Sequence, residues 1–237
     1  MKKKAETWTD FWKHEDITSE TMSRLNMEIF VQSTEPIMKY NEEDIVLDIG
    51  CGFGFLPAFL KGKVREIHCL DISEKYLDIC RKKFGKFNNL LFYKLDENNY
   101  TDLSTVNTKR FSKIICLSVI QYYKNINEVE RLIEGIQEIA LPGAKFLIAD
   151  IPRDTKPYLD IWSIFKAGVR GKCVYETIKH LIKLRVSDYY QVRSKFGLLV
   201  FSEDILNALM RKHNLNAQIF TTQMTINKSR LHWLISF

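Results

Sequence analysis

The chain has 237 residues, of which 46% are hydrophobic and 27% are charged, and its formal net charge is +6. This length and apolar content predict a single domain with one substantial core. No run of about 18 uncharged apolar residues occurs, and no apolar stretch follows the basic start at residues 1–4. We therefore expect a cytoplasmic protein without a membrane-spanning helix. The five cysteines include no Cys-x-x-Cys pair, which predicts buried reduced thiols and no metal site.

Short apolar runs alternate with longer amphipathic runs along the chain. Strands are predicted at 44–49, 66–71, 90–95, 112–119 and 144–150. Helix patterns between them cover 56–61, 73–85, the stretch after Tyr100, and 125–140, where Leu141-Pro142-Gly143 stops the helix. The strand runs lack polar alternation, as is typical of a parallel sheet that is covered on both faces. The order therefore predicts a doubly wound α/β domain over roughly residues 41–150.

The stretch "VLDIGCGFGF" (46–55) places three glycines after the first predicted strand. Right-handed crossovers bring the carboxyl ends of parallel strands to one edge of a sheet, where ligands bind. Glycines let the backbone approach a ligand closely, and the helix that follows offers its N–H groups and the positive end of its dipole. The alternative is a tight strand-to-helix turn without a ligand.

Three acidic residues, Asp48, Asp71 and Asp96, fall at the carboxyl ends of the first three predicted strands. The fold would therefore gather them around one crevice. Asp71 lies 21 residues after Gly50, where an acid can accept hydrogen bonds from both ribose hydroxyls; its alternative is to cap a helix beside Ser73. Asp96 could accept from an adenine amino group, or it could serve only as a turn former.

The spacing of the glycines distinguishes two kinds of adenosine ligand. The dinucleotide fingerprint has two residues between its last two glycines, whereas Phe53 alone separates Gly52 from Gly54. Asp48 would repel a pyrophosphate but would attract a cationic ligand. S-adenosylmethionine has an ammonium, a sulfonium, a ribose, an adenine and no phosphate. The pattern therefore favours S-adenosylmethionine over a nicotinamide dinucleotide.

The motifs "VLDIGCGFGF", "CLDIS", "LDEN", "SVIQYY" and "LPGAKFLIAD", taken together, resemble those of the class I S-adenosylmethionine-dependent methyltransferases over about residues 44–152. The resemblance implies a Rossmann-like, mostly parallel seven-stranded sheet with an antiparallel C-terminal hairpin, for which 217–223 and 230–237 are suitable. After the fourth strand, the enzymes of this family that methylate nitrogen on bases or glutamine carry Asn or Asp followed by Pro-Pro and an aromatic. "SVIQYY" lacks that pattern and looks more like the small-molecule branch.

The resemblance also implies a set of cofactor contacts. Asp48 would face the methionine ammonium, and Ser118 would touch the methionine portion through its backbone. Ile72 would pack on adenine, and Asp96 with the Glu97 amide would hold the adenine edge. The residues implied in this way lie at strand ends and in the loops after them: Asp48, Gly50, Cys51, Gly52, Gly54, Asp71, Ile72, Asp96, Glu97 and Ser118.

Candidate catalytic residues follow from the chemistry of a sulfonium donor. Because the methyl group is already electrophilic, the protein chiefly aligns the acceptor and excludes water. A base is needed only if the acceptor is a hydroxyl or a protonated amine. The candidates by position are Asp150, at the end of the fifth strand, with Gln121 and Tyr122 after the fourth. His14 and His180 would join them only if their segments fold over the pocket.

The segments outside this core should determine the acceptor. Trp8, Phe11 and Trp12 share one helical face and would either pack on the domain or form a lid over the cofactor, which Trp12 would contact. We expect one methyltransferase domain, 1–237, made of a helical lid (1–40), a cofactor-binding core (41–152), a basic helical cap (153–199), and a final helix with the strand hairpin (200–237).

The predicted cap carries the excess positive charge of the chain. Residues 153–199 contain ten Lys or Arg and four acidic residues. Their net charge of +6 equals the net charge of the whole chain. The stretch "VYETIKHLIKLR" within it predicts a helix. One stripe of this helix would carry Val174, Ile178, Leu181, Ile182 and Arg185, with Lys179 and Lys183 beside it. The basic face could be merely solvated, or it could bind an anion, a membrane surface or RNA.

We favour a small, anionic or sugar-like acceptor in this cap. The positive charge is concentrated in one segment instead of following a recognisable RNA-binding module. The alternatives are an RNA- or lipid-directed methyltransferase, a methyltransferase-like domain that binds RNA or a partner without catalysis, and an NAD(P)-dependent oxidoreductase.

Overall fold

The computed structural model describes residues 5–14, 19–154 and 157–237, and a seven-stranded sheet forms its centre. In chain order the strands are β1 (Ile45–Ile49), β2 (Glu66–Asp71), β3 (Leu90–Lys94), β4 (Phe111–Leu117), β5 (Ala140–Ile151), β6 (Asn216–Phe220) and β7 (Leu231–Ser236). Their order across the sheet is β3-β2-β1-β4-β5-β7-β6. The first five strands pair with their neighbours in parallel, while β7 runs antiparallel to β5 and β6. The predicted Rossmann-like sheet with its C-terminal hairpin is confirmed.

Helices cover both faces of this sheet. In chain order they are α1 (Trp8–His14), α2 (Glu20–Met38), α3 (Phe55–Leu60), α4 (Glu74–Phe84), α5 (Ile126–Ile139), α6 (Pro157–Arg170), α7 (Val174–Val186), α8 (Tyr189–Phe196) and α9 (Glu203–Lys212). In the described chain, no helix is both long and apolar enough to span a bilayer.

The central strands are apolar on both sides because each side faces a different core. Leu47 of β1 and Ile114 of β4 are buried in one cluster with α5. Val46 and Ile115, their neighbours in sequence, are buried in the other cluster with α2, α3 and α4. Successive side chains of a strand point to opposite faces, so these uninterrupted apolar runs require helices on both faces of the sheet.

The helix predicted after Tyr100 is wrong, because the structure has only a 3₁₀ turn there, Ser104–Val106. Asp102 Oδ1 accepts a hydrogen bond from the backbone N–H of Ser104 at 2.8 Å. Such short polar side chains offer the backbone a local partner that competes with a regular helix. The later helix α5 ends at Ile139, close to its predicted end at residue 140, but β5 begins at once at Ala140, so Leu141-Pro142-Gly143 belongs to the strand and does not precede it.

The basic segment forms α6, α7 and α8, as the helical pattern predicts. α6 and α7 cross closely where Gly168 meets Thr177: a Cβ at Gly168 would lie 2.0 Å from the Thr177 hydroxyl oxygen. Thr177 is fully buried and also contacts Met22 of α2 through its hydroxyl. This crossing therefore fixes which side of α7 faces the domain.

Candidate active site

The loop between β1 and α3 turns sharply enough to need glycine. Gly50, Gly52 and Gly54 have φ angles of +75°, +51° and +71°, in a region that residues with a Cβ rarely adopt. The backbone N–H groups of Gly50 and Cys51 donate to the carbonyl of Leu70 at the end of β2, at 2.8 and 3.0 Å. The loop is therefore fixed against the neighbouring strand before any ligand binds.

Asp71 holds this loop in place through both carboxylate oxygens. Oδ2 accepts from the Gly52 N–H and Oδ1 from the Ser73 N–H, each at 2.8 Å. Burial raises the pKa of Asp71 to about 6, although these backbone hydrogen bonds lower it. Each carboxylate oxygen can accept a further hydrogen bond, so shaping the loop and binding a ligand are compatible for this residue.

Asp48, at the end of β1, is buried and lines a cavity of about 260 Å³ at the carboxyl ends of the strands, which we call the first cavity. Burial, and secondarily the charge of Asp71, raises the pKa of the Asp48 carboxyl to about 8. A cation in the cavity would oppose this shift by stabilising the carboxylate.

The lining of the first cavity suits a cationic ligand without phosphate. Asp48 and Asp71 are the carboxyl groups of its described lining, which includes no Lys, Arg or His. A pyrophosphate would therefore meet two carboxyl groups without a compensating cation from these residues. The ammonium and sulfonium of S-adenosylmethionine fit this donor set.

Most residues that the sequence pointed to line this cavity: Trp12, Asp48, Gly50, Cys51, Gly52, Asp71, Ile72, Ser118 and Tyr122. Three of the predicted cofactor contacts do not line it. Asp96 is exposed, and its Oδ1 accepts from the Asn98 N–H at 2.9 Å, as a turn former does. Glu97 pairs with Lys13 of α1 at 2.5 Å, and Gly54 caps the start of α3. The adenine contacts of Asp96 and Glu97 stay predictions.

Helix α1 closes one side of the first cavity with aromatic rings. Trp8 and Trp12 line the cavity, and their ring centroids lie 4.8 and 5.0 Å from that of Tyr122. Trp8 also donates from Nε1 to the carbonyl of Gly197 at 2.8 Å, and Phe11 is fully buried. α1 thus packs on the domain and forms a cavity wall at once; the opening motion of a lid stays a prediction.

Several lining residues were missed by sequence reasoning. Helix α2 contributes Ser23, Asn26 and Met27, and the loops after β3 and β4 contribute Tyr100 and Tyr123. Tyr123 is the last residue of the recognised "SVIQYY" stretch and could have been found. The α2 residues precede the sheet and belong to no motif, so only the tertiary packing brings them to the cavity.

A second cavity of about 550 Å³ lies beside the first and shares Trp12 and Ser23 with it. Helices α6 and α7 line it with apolar side chains, including Ile164, Leu181 and Leu184. Its polar lining includes the candidate catalytic residues Gln121 and Asp150 and also His180, the candidate whose segment had to fold over the pocket. The other charged side chains of this lining are Asp160, Arg193 and Arg230. The side chain of His14 lies outside the described residues.

Asp150 and Ser118 connect the two cavities. The hydroxyl of Ser118, which lines the first cavity, donates to Asp150 Oδ2 at 2.7 Å. Thr225 donates to Asp150 Oδ1 at 2.9 Å, and Arg230 Nε lies 3.6 Å from the same oxygen. Both Ser118 and Asp150 have φ near +60°. Residues held in such conformations cost energy and concentrate at functional sites, so this pair marks the junction as a reaction centre candidate.

Gln121 and Tyr122 differ in what they can do at this junction. Gln121 donates from Nε2 to the carbonyl of Ser118 at 3.3 Å, which supports the turn after β4. Burial raises the pKa of the Tyr122 phenol well above its usual value. Tyr122 therefore stays protonated, which argues against it as a base and leaves it as a hydrogen-bond donor. Asp150 is the carboxylate at the junction.

Comparison with known proteins is consistent with this site. A family model described as a methyltransferase domain matches residues 46–143. A chondramide synthase of Chondromyces crocatus is 29% identical over 144 residues, 59% of this chain and 4% of that protein. A ubiquinone biosynthesis O-methyltransferase of Coxiella burnetii is 26% identical over 128 residues, 52% of each chain. The chain therefore spans about half the length of the O-methyltransferases it matches.

A solved structure shares the fold over nearly the whole chain. The N-methyltransferase NodS of Bradyrhizobium japonicum, in complex with S-adenosyl-L-homocysteine, aligns with a TM-score of 0.53 and 12% identity over 98% of this chain and 88% of that one. The family match covers the glycine loop and both buried acids of the first cavity. Residues 46–143 of this chain therefore form a methyltransferase domain of the class I, Rossmann-like kind, and S-adenosylmethionine is the cofactor of such domains.

Proposed function

We propose that the protein transfers a methyl group from S-adenosylmethionine, bound in the first cavity, to a small acceptor bound in the second. The hydrogen bond between Ser118 and Asp150 carries this proposal, because it joins the two cavities at one polar junction. Bound S-adenosylmethionine supplies an electrophilic methyl group on a sulfonium. The protein then has to hold the acceptor in line with the carbon–sulfur bond and keep water out.

Residues of the first cavity would hold the cofactor by charge and by shape. Asp48 would face the methionine ammonium, and Asp71 would accept hydrogen bonds from the ribose while it holds the glycine loop. Ile72 would pack on adenine, and Ser118 would contact the methionine portion. Trp8 and Trp12 of α1 would exclude water from the reacting atoms.

The second cavity supports a small acceptor with an anionic or sugar-like part and an apolar part. Arg193 and Arg230 line it, and the Arg230 guanidinium also lies 2.9 Å from Asp160. Ile164, Leu181 and Leu184 would pack against the apolar part. The O-methyltransferase relatives favour a hydroxyl as the methylated group. Asp150 would accept the hydroxyl proton, directly or through Ser118, with Gln121 supporting that turn.

Binding of the cofactor product tests the donor half of this proposal. We expect S-adenosyl-L-homocysteine to raise the melting temperature, because a ligand at 100 times its dissociation constant adds about 2.7 kcal/mol of stability. NADH at the same concentration should leave the melting temperature unchanged. Stabilisation by NADH alone would instead favour the oxidoreductase alternative.

Asp150→Asn tests the acceptor half. With caffeic acid as a hydroxyl acceptor that carries a carboxylate, we expect methyl transfer to fall by about 100-fold or more, since general-base catalysis contributes on that order. The melting-temperature shift with S-adenosyl-L-homocysteine should persist, because Asp150 does not line the first cavity.

The matched control is Asp154→Asn, a change of the same chemistry at an exposed position near the end of β5. It should leave transfer unchanged. Equal activities of Asp150→Asn and the parent protein would rule out Asp150 as the proton acceptor. Methylation of RNA by a preparation that leaves caffeic acid and other small hydroxyl acids unmodified would favour the RNA-directed alternative.

A further inference from the structure

Helix α7 turns an apolar stripe towards solvent. Tyr175, Ile178, Ile182 and Val186 are 75%, 46%, 59% and 77% exposed. Their spacing of three and four residues places them on one face of the helix. Single exposed apolar residues are common, but a continuous stripe of four marks an interaction surface.

The stripe cannot turn inwards, because the opposite side of α7 is already occupied. Thr177 is fully buried against Gly168 of α6, and Leu181 and Leu184 line the second cavity. The stripe predicted from the sequence put Leu181 beside Ile178 and Ile182. The structure instead separates them: Leu181 faces the second cavity, and Ile178 and Ile182 face outwards.

Cations flank the exposed stripe. On the helix, Lys179 and Lys183 follow one edge of it and Arg185 the other, as the 3.6-residue period dictates. Residues 170–186 contain five Lys or Arg and one acidic residue, Glu176. A solvent-exposed apolar stripe between rows of cations is the pattern of helices that lie in the interface of an anionic membrane.

We propose that the outer face of α7 docks on the surface of a bilayer that contains anionic lipids, with the helix parallel to that surface. Charge complementarity selects this occupant, since two copies of α7 would bring like charges together and RNA would leave the apolar stripe unused. Because Leu181 and Leu184 line the second cavity from the other side of α7, docking holds that cavity next to the bilayer.

Vesicle flotation tests the proposal with the whole chain. We expect binding to vesicles of equimolar phosphatidylcholine and phosphatidylglycerol, weaker binding at high salt, and little binding to phosphatidylcholine alone. Ile178→Ser with Ile182→Ser should lower the bound fraction on the anionic vesicles about tenfold or more, since each change removes apolar area from the interface. Lys179→Gln with Arg185→Gln should reduce the preference for phosphatidylglycerol.

The matched control is Phe87→Ser with Leu141→Ser, which removes two exposed apolar side chains that lie outside the cap. It should bind vesicles as the parent protein does. The melting-temperature shift with S-adenosyl-L-homocysteine in every variant verifies folding, and its absence from the parent protein would reject the proposed function without affecting the docking proposal.

Three results would overturn the docking proposal. One is the absence of binding to the anionic vesicles at low salt. Another is equal binding by the parent protein and the Ile178→Ser, Ile182→Ser variant. The third is concentration-dependent self-association that the same variant abolishes while vesicles stay unbound, because the stripe would then serve a second copy of the chain.

Discussion

Asp48→Asn is expected to stabilise the ligand-free protein at pH 8 while it abolishes tight cofactor binding. An unfolded Asp ionises near pH 4, whereas burial raises the pKa of Asp48 to about 8. The folded state therefore keeps a proton that the unfolded state releases, so this group lowers the stability as pH rises from about 4 to about 8. Because Asn does not ionise, the melting temperature of the variant should fall less than that of the parent protein as pH rises from about 4 to about 8.

The same carboxyl should make cofactor binding depend on pH. The ammonium of S-adenosyl-L-homocysteine would pair with the ionised form of Asp48, so below pH 8 binding has to release a proton. Affinity should then fall by about tenfold per pH unit below that value. Titration calorimetry at pH 7 in two buffers with different ionisation enthalpies measures the released proton. In Asp48→Asn we expect no such release and an affinity lower by about 100-fold, since a buried charge loses its partner.

Asp44→Asn is the matched control. Asp44 is also buried, but it lies just before the amino end of β1, whereas Asp48 lies near the carboxyl end. Its Oδ1 accepts from the Ser112 hydroxyl at 2.7 Å and lies 3.5 Å from Lys113 Nζ. This change should lower the stability by about 1–3 kcal/mol and leave cofactor binding intact. If Asp48→Asn instead destabilises the protein at pH 8 and binds S-adenosyl-L-homocysteine normally, the proposed role of Asp48 is wrong.

Local sequence patterns predicted the sheet and the part of the candidate site that the glycine loop and Asp48 form. The apolar runs and the glycine loop with Asp48 depend on residues close in sequence, so their spacing carries the information. Asp96 shows the limit of this approach, because a short acid at a strand end can satisfy the N–H of Asn98 instead of facing a ligand. Sequence position alone does not distinguish these two outcomes.

The junction between the cavities could not be predicted in the same way. Ser118, Asp150 and Thr225 meet there, and 75 residues separate Thr225 from Asp150. No local pattern marks a threonine that will donate to a distant carboxylate. The outer face of α7 is similar, since the helical period finds an apolar stripe but the crossing of Gly168 with Thr177 decides which part of it is buried.

Gly50→Ala should damage the loop far more than Gly52→Ala, although both glycines have positive φ. A left-handed conformation costs a residue with a Cβ about 1–2 kcal/mol, and both variants carry that cost. A Cβ at Gly50 would also lie 2.3 Å from Val119 Cγ2, whereas a Cβ at Gly52 would meet nothing within 4 Å. Overpacking of this kind adds about 1–3 kcal/mol. Urea unfolding should therefore give a loss of about 2–5 kcal/mol for Gly50→Ala and about 1–2 kcal/mol for Gly52→Ala.

Val119 makes this comparison specific to the site. It follows Ser118, so an Ala at Gly50 that displaces Val119 would also shift the hydroxyl that bonds Asp150. Adding Val119→Ala removes the clashing methyl groups, and the pair should couple favourably by about 1–3 kcal/mol in a double-mutant cycle. Val119→Ala with Gly52→Ala should be additive, because no contact joins those positions. Additivity in both cycles would mean that the loop moves away from Val119, and the close approach of Gly50 would then not be what requires glycine there.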